Sequence, residues 1–286
     1  MLQERIIHFM KKNNNIFTAL KGVIIGGTML VPGVSGGSMA MILGIYDRLI
    51  SAVSSFTKHK KENLAFLVIF SLGGILGILV FANPLLRLIE RYPMPMLYFF
   101  LGAVAGGIPL IVKQSGAKRL SWRSCLYLIL GLLVVSLFAF IPSGSFQSEM
   151  NAGPASFLLL AAAGVISAAA LVLPGISISY LLLLMGIYDE MMRAVSEFYL
   201  PFLLPLAAGL VLGILLITKG LEYAMTRHPH PTYFIILGFI LGSIGELFPG
   251  IPSGWELVLC ILTLAAGFFA VLLLSRAELK STAASA

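Results

Sequence analysis

One segment of this chain occurs twice, and each copy carries a Pro-Gly pair inside an apolar run. Residues 32–56 read PGVSGGSMAMILGIYDRLISAVSSF, and residues 174–198 read PGISISYLLLLMGIYDEMMRAVSEF. Both copies contain Pro-Gly, the Ser two residues later and Gly-Ile-Tyr-Asp, at the same spacing and without a gap. A duplicated apolar segment that is interrupted by Pro and Gly is typical of transporters that are built from repeats with broken helices.

The similarity extends beyond these segments. A shift of 142 residues, from Pro32 to Pro174, aligns the broken segments, and a shift of 136 aligns residues 64–106 with 200–242. The shift changes because the Lys-rich loop 57–63 is shorter in the second copy. The sequence therefore predicts one duplicated unit, with a connecting apolar segment between the copies and another after them. The predicted ranges are about 17–112 and 159–248 for the repeats, 122–141 for the connecting segment and 255–275 for the final segment.

The composition predicts that these segments lie in a membrane. The chain is 59% hydrophobic and 11% charged, with a mean hydropathy of +1.00, and a water-soluble domain of 286 residues could not bury that much apolar surface. The N-terminal residues MLQERIIHFMKKNNN lack a small-residue cleavage site, so we expect no removable signal peptide. The net charge of +7 lies in short loops between apolar runs, which indicates membrane topology and not nucleic-acid binding.

The apolar segments are of two kinds. Two of them, about 17–50 and 156–192, contain the Pro-Gly breaks, and each has apolar halves of about 15 residues. A half of that length covers ~22 Å, which is short of the ~30 Å hydrocarbon core. Each is therefore either one long broken span or a re-entrant hairpin. The other segments predict six full transmembrane spans, at about 64–86, 94–112, 122–141, 200–221, 232–249 and 255–275.

The distribution of charge favours re-entrant hairpins. With two re-entrant hairpins and a cytoplasmic N-terminus, most of the 19 basic residues lie inside, and the outside loop 142–155 contains none. If each segment crossed once, Lys58, Lys60 and Lys61 would face outside. We therefore predict an all-α polytopic membrane protein with two inverted repeats, a re-entrant helical hairpin in each, and both termini cytoplasmic. Inverted repeats support alternating access to a central site.

The two breaks are the candidate binding site. Pro ends the first half-helix and Gly allows the reversal. A re-entrant backbone leaves N–H groups unpaired in the membrane, beside the positive dipole end of the second half-helix. This predicts a site for a phosphate-sized anion, unless Gly and Ser only allow close helix packing. The break residues are Pro32, Gly33, Pro174 and Gly175, and the predicted phosphate-binding residues are Ser35, Gly36, Gly37, Ser38, Ser177 and Ser179.

Two carboxylates and one lysine near the breaks are candidates for further roles. Asp47 and Asp189 end the matching Gly-Ile-Tyr-Asp motifs. They either couple transport to H+ or Na+ or cap the helix that follows. Lys21 lies in the first half-helix, where it either contacts the charge of the substrate or extends to the inner interface.

Three arginines are the basic residues that this topology places outside. The positive-inside rule disfavours Arg87, Arg91 and Arg193 at that side, so each needs a reason. One reason is attraction of an anionic headgroup. The alternative is pairing with a nearby carboxylate, for which the neighbours are Glu90, Glu190 and Glu197.

Catalytic functions fit the sequence poorly. Residues 33–36, GVSG, match the GxSG pattern of rhomboid-type intramembrane proteases, which need a His on a partner helix to activate the Ser. The His residues lie outside the apolar spans, and the second copy breaks the pattern. A metal site at His228 and His230 is disfavoured because two prolines interrupt that loop. We therefore expect a protein that is not an enzyme, with no cofactor and no metal.

The paired PGVSGGS and PGISIS segments, each followed by GIYD, resemble the PopT family of polyprenyl-phosphate transporters over residues 17–275. The resemblance implies a bacterial cytoplasmic membrane protein that returns undecaprenyl phosphate from the outer to the inner leaflet, for peptidoglycan and other envelope polymers. A buried anion site would replace the hydration of a phosphate that crosses the apolar slab. The alternatives are a secondary transporter of a small soluble anion, using the same half-helix site, and an enzyme acting on a lipid phosphate.

Overall fold

The computed structural model describes residues 2–31, 34–117, 121–138 and 154–285, and the regular structure in these ranges is helical. Two compact units are present: the first is Met1–Ile111 with Glu246–Ala286, and the second is Val112–Gly245. The helices in chain order are α1 (Leu2–Thr28), α2 (Gly36–Ile42), α3 (Tyr46–Ser54), α4 (Lys60–Arg91), α5 (Pro93–Gln114), α6 (Trp122–Phe138), α7 (Pro154–Val172), α8 (Ile178–Met185), α9 (Tyr188–Ser196), α10 (Leu200–Arg227), α11 (Pro229–Gly242), α12 (Ile244–Leu247) and α13 (Trp255–Ser285).

Four helices are long and apolar enough to cross a membrane. They match four of the six predicted spans and comprise Lys60–Arg91, Pro93–Gln114, Leu200–Arg227 and Trp255–Leu274. Helix α6 has 17 residues, and the end predicted for it near 141 lies outside the described residues. In a membrane, helices satisfy their own backbone hydrogen bonds, which explains why the apolar runs adopt this structure.

The predicted span 232–249 is wrong as a single helix. Helix α11 ends at Gly242 after 14 residues, and α12 continues only to Leu247. The Ser243 hydroxyl donates to the Ile240 carbonyl at 2.8 Å, and Gly245 follows directly in α12. Glycine lowers helix propensity, and a serine that bonds back to the preceding turn bends helices, so these residues account for the early end.

Glycines bring the same two helices together in each unit. In the first unit, a Cβ on Gly73 of α4 would overlap the backbone of Ala19 in α1. In the second unit, a Cβ on Gly209 of α10 would overlap the backbone of Ala161 in α7. Gly73 corresponds to Gly209 at the shift of 136, and Ala19 corresponds to Ala161 at the shift of 142. The duplication is therefore a duplication of helix packing, in which small residues let backbones approach.

The last long helix of each sequence copy packs in the unit that is formed mainly by the other copy. In the first unit α13 packs on α5, where a Cβ on Gly102 would overlap the backbone of Leu264. In the second unit α6 packs on α11, where a Cβ on Gly238 would overlap the backbone of Leu128. At the shift of 136, Gly102 corresponds to Gly238 and Leu128 corresponds to Leu264. Helices α6 and α13 are therefore equivalent parts of the repeat, although the sequence predicted one as a connecting segment and the other as a final segment.

The Gly-Ile-Tyr-Asp motif ends one short helix and begins the next. Gly44 has a φ of 66°, and the Ile45 N–H donates to the Ala40 carbonyl at 3.0 Å. Gly186 has a φ of 75°, and Ile187 makes the equivalent bond to α8 at 3.1 Å. This is the Schellman arrangement that commonly ends helices at a left-handed glycine. The expected second half-helix of about 15 residues is therefore wrong, because two short helices take its place in each copy.

Candidate functional site

The break in the second copy is a tight turn between α7 and α8. The Pro174 side chain is fully buried, and Gly175 has a φ of 84°. A Cβ on Gly175 would also overlap the backbone of Phe239 in α11. Glycine is required here both for its left-handed backbone and for the close approach of a neighbouring helix. The matching Pro32 and Gly33 lie outside the described residues, so the first break stays a prediction.

The tip that follows the first break contains a buried hydroxyl without a partner. Ser35 occupies the N-cap position of α2, with φ −81° and ψ 133°, but its side chain makes no capping hydrogen bond. Gly36 and Gly37 begin the helix, and Ser38 in the first turn is 4% exposed. The Ser38 Oγ has no hydrogen-bond partner among the described residues. Because an unsatisfied buried polar group costs about 1–3 kcal/mol, a ligand that bonded to this hydroxyl would be stabilised.

The tip that follows the second break packs into an apolar core. Ser177 directly precedes α8, and its carbonyl accepts the Leu181 N–H at 3.0 Å. Ile176 and Leu181 belong to one buried hydrophobic cluster. Ser179 lies in the first turn of α8, and its side chain is outside the part that the structure describes. Each tip lies in its own unit, and a single site formed by both stays a prediction.

The two aspartates of the repeated motif do not occupy N-cap positions, so the N-cap interpretation is wrong. The N-cap residues of α3 and α9 are Ile45 and Ile187, and Asp47 and Asp189 lie in the first turn of those helices. Both aspartates are exposed. A carboxylate in a first turn interacts favourably with the positive end of the helix dipole.

The three arginines predicted outside are exposed at helix ends. Arg87 and Arg91 lie at the end of α4, and Arg193 lies in the last turn of α9. The Arg91 guanidinium carbon is 5.7 Å from the centre of the Tyr92 ring. Attraction of a headgroup and pairing with neighbouring glutamates both stay predictions for these residues.

Lys21 lies with two other basic residues that the sequence analysis counted only as loop or interface charges. It is half-buried on α1 and lines a cavity together with Arg48 of α3 and Lys61 of α4. The three residues are far apart in the sequence, and Lys and Arg are common in segments predicted to be cytoplasmic. Neither their spacing nor a motif indicated that they would meet.

The histidine pair takes part in helix packing. His230 in α11 has its Nε2 atom 3.0 Å from the Ser124 hydroxyl of α6, and its ring is 5.8 Å from the Tyr127 ring. Within the described residues, no group of three or more His, Cys, Asp or Glu side chains could hold a metal ion. The contact therefore joins α6 to α11 in the second unit.

Long apolar helices, glycine-mediated packing and two similar units define a multi-pass helical membrane protein with an internal repeat. The chain belongs to the VCA0040-like, undecaprenyl phosphate translocase-like family, whose model matches residues 25–258. This confirms the resemblance that the paired break segments suggested.

Two similar proteins support the assignment. The chain is 31% identical over 270 residues to the polyprenyl-phosphate transporter of Staphylococcus aureus (strain NCTC 8325 / PS 47), which covers 90% of this chain and 95% of that protein. It is 31% identical over 253 residues to the polyprenyl-phosphate transporter of Vibrio cholerae serotype O1 (strain ATCC 39315 / El Tor Inaba N16961), which covers 84% of this chain and 79% of that protein. No solved structure matches this chain.

Proposed function

We propose that this protein translocates a polyprenyl phosphate across a bacterial cytoplasmic membrane, with undecaprenyl phosphate as the substrate. The transport returns the lipid from the outer to the inner leaflet, where it is used again for peptidoglycan and other envelope polymers. The names of both relatives, polyprenyl-phosphate transporters, support the substrate class. The proposal assigns movement of the lipid and no covalent chemistry.

The observation that carries this proposal is the buried Ser38 hydroxyl at the start of α2. A phosphate monoester carries about −1.5 to −2 charges at neutral pH and loses its hydration when it enters an apolar region. The Ser38 hydroxyl, the uncapped Ser35 hydroxyl and the first N–H groups of α2 are donors that would replace that hydration. In the second copy we assign the equivalent role to Ser177 and Ser179.

The proposal includes the inverted topology. The basic residues concentrate in the segments that two re-entrant hairpins would place on the cytoplasmic side, together with both termini. Inverted repeats would let the two units alternate in conformation and open the site to each leaflet in turn. For Asp47 and Asp189, exposure in a first turn favours interaction with the helix dipole over coupling to H+ or Na+.

Transport in proteoliposomes tests the proposal. Purified protein would be reconstituted with undecaprenyl phosphate, and the outward-facing phosphate would be measured with a membrane-impermeant phosphate-binding antibiotic. We expect Ser38→Ala to lower the transport rate about tenfold, because it removes one hydrogen bond to a charged group. Thermal stability should not fall. Ser71→Ala is the matched control, because Ser71 is exposed on α4.

Two outcomes would contradict the proposal. The first is equal transport by wild type and protein-free liposomes under conditions where the protein is folded. The second is uptake of a radiolabelled soluble anion without movement of the lipid, which would identify a secondary transporter of small anions.

A further inference from the structure

The first unit contains a basic cavity, and Ser35 and Ser38 are not among its described lining residues. It has a volume of about 530 Å³ and lies where α1, the start of α3 and the start of α4 meet. Among the described residues that line it, three are cationic and one is a carboxylate. The lining residues that matter to the argument are Thr18, Lys21, Arg48, Lys61, Glu62 and Phe66.

Arg48 is held in place at this cavity by a buried amide. Its Nη1 donates to Asn63 Oδ1 at 2.8 Å, and its guanidinium carbon is 4.6 Å from the centre of the Phe66 ring. Asn63 is 3% exposed, and its Nδ2 donates to the Ser55 carbonyl at 3.1 Å. A guanidinium carries five N–H groups in a fixed plane, so the bond to Asn63 orients Arg48 and leaves donors for an oxyanion.

The charges of the cavity fit a phosphate monoester. Among the described lining residues, cations outnumber carboxylates, so the lining favours an anion. A phosphate monoester, which carries about −1.5 to −2 charges, is such an anion. Arg and Lys are the side chains that proteins use for phosphate, as a planar fork and as a point charge.

Exposed apolar side chains continue from the cavity along both helices that form it. Phe17 lines the cavity on α1 and is exposed, and Leu20 is exposed three residues further on. On α4, Leu64 and Val68 are exposed three and seven residues after Lys61. Residues at these spacings share a helix face. A ligand whose head occupied the cavity would therefore have an apolar surface beside it for a hydrocarbon tail.

The second unit indicates that the fold does not require these charges. The position that matches Arg48 is Glu190, and the segment 57–63, which contains Lys61, is shorter in the second copy. The helix pair that frames the cavity is nevertheless packed through equivalent glycines in both units. The charges are therefore unexplained by packing alone.

We propose that this cavity binds the phosphate-monoester head of a lipid whose tail lies along the exposed faces of α1 and α4. The inference deepens the proposed function and rests on it for the identity of the lipid, a polyprenyl phosphate. On the proposed topology the loop 57–63 is cytoplasmic. The cavity is then a second headgroup site, distinct from the tips, where the lipid lies after it has crossed.

Binding to purified protein in detergent tests the proposal, with undecaprenyl phosphate and inorganic phosphate as separate probes in native mass spectrometry. The test variant is Lys21→Gln with Lys61→Gln. The matched control is Lys58→Gln with Lys60→Gln, which removes the same charge from exposed neighbours that do not line the cavity. Thermal unfolding of both double variants checks that they are folded.

We expect the test variant to bind undecaprenyl phosphate at least about tenfold more weakly than wild type, and the control to change less than about twofold. Equal weakening in both variants would overturn the proposal, because it would show attraction by net charge alone. Unchanged binding in the test variant would also overturn it. Inorganic phosphate bound as tightly as the lipid would overturn the assignment to a lipid head.

These results separate this inference from the proposed function. If Ser38→Ala lowers transport while the cavity variant binds normally, the proposed function holds and the cavity site is rejected. If wild-type protein does not bind undecaprenyl phosphate, the proposed function fails. Weaker binding of inorganic phosphate by the cavity variant would then still support an anion site at these residues.

Discussion

The same region is a charged cavity in the first unit and an apolar core in the second. Thr18 and Lys21 line the cavity on α1, and the shift of 142 relates them to Leu160 and Ala163 on α7. Leu160 is 5% exposed and Ala163 is 1% exposed, and both belong to the hydrophobic cluster of the second unit. Two units with equivalent helix contacts therefore contain opposite chemistry at this place.

The difference separates what the helix packing needs from what a ligand would need. Phe66 beside Arg48 corresponds to Phe202, which is fully buried in the cluster of the second unit. An apolar filling stabilises this arrangement through burial of its side chains, and the charged lining of the first unit does not provide that burial. The charges are therefore not needed for this helix packing, which supports the proposed binding role.

The largest effect is expected when the charge of the first unit is introduced into the second. Ala163→Lys would place an unpaired ammonium group in an apolar cluster, so we expect a loss of about 3–5 kcal/mol of stability. Lys21→Ala in the first unit should change stability by less than about 1 kcal/mol. Thermal unfolding in detergent measures both, and similar effects of the two changes would remove the distinction between the regions.

The shared helix packing predicts matched effects in the two units. Gly73→Leu and Gly209→Leu would each force a pair of helices apart, because even a Cβ overlaps the facing backbone. We expect each to cost about 3 kcal/mol. Thermal unfolding of the two variants should give similar losses, and a large loss in only one would show that the two packings are not equivalent.

A smaller effect is expected from the amide that holds Arg48. Asn63→Ala removes the bonds to the Arg48 guanidinium and to the Ser55 carbonyl, so we expect a loss of about 2 kcal/mol. Undecaprenyl phosphate should also bind more weakly, because Arg48 is no longer oriented. Asn83→Ala, at an exposed position of α4, is the control. Unchanged binding with reduced stability would assign Asn63 a structural role only.

The smallest effects should come from the paired aspartates. Asp47→Asn and Asp189→Asn each remove a carboxylate from a helix first turn, and we expect a loss of about 0.5 kcal/mol from each. The transport rate and its dependence on an H+ or Na+ gradient should not change. Loss of that dependence in either variant would instead identify ion coupling at this position.

Much of the helical architecture could be predicted, because it depends on local chemistry. Apolar runs predicted the long helices, and Pro174-Gly175 marked the turn between α7 and α8. A helix that begins near Asp47 and Asp189 was one of the two predicted alternatives, and α3 and α9 do begin at this motif. The end of the preceding helix at Gly44 and Gly186 was not predicted, because a glycine in an apolar run also occurs within membrane helices.

Long-range relationships could not be predicted in the same way. The correspondence between α6 and α13 rests on few matching residues, such as Gly131 and Gly267 at the shift of 136. Their exchange between the units depends on packing. The basic cavity combines residues from three helices. A sequence indicates such groupings only when a motif joins their members, and Lys21, Arg48 and Lys61 share none.

The exchange of α6 and α13 has a consequence for how the protein is made. The second unit is one continuous stretch, so its whole sequence has been synthesised once residue 245 is added. The first unit begins earlier but is finished later, because α5 must wait for α13 to cover the face that carries Gly102. During translation the face of α5 that carries Gly102 therefore lacks its native partner until α13 has been synthesised.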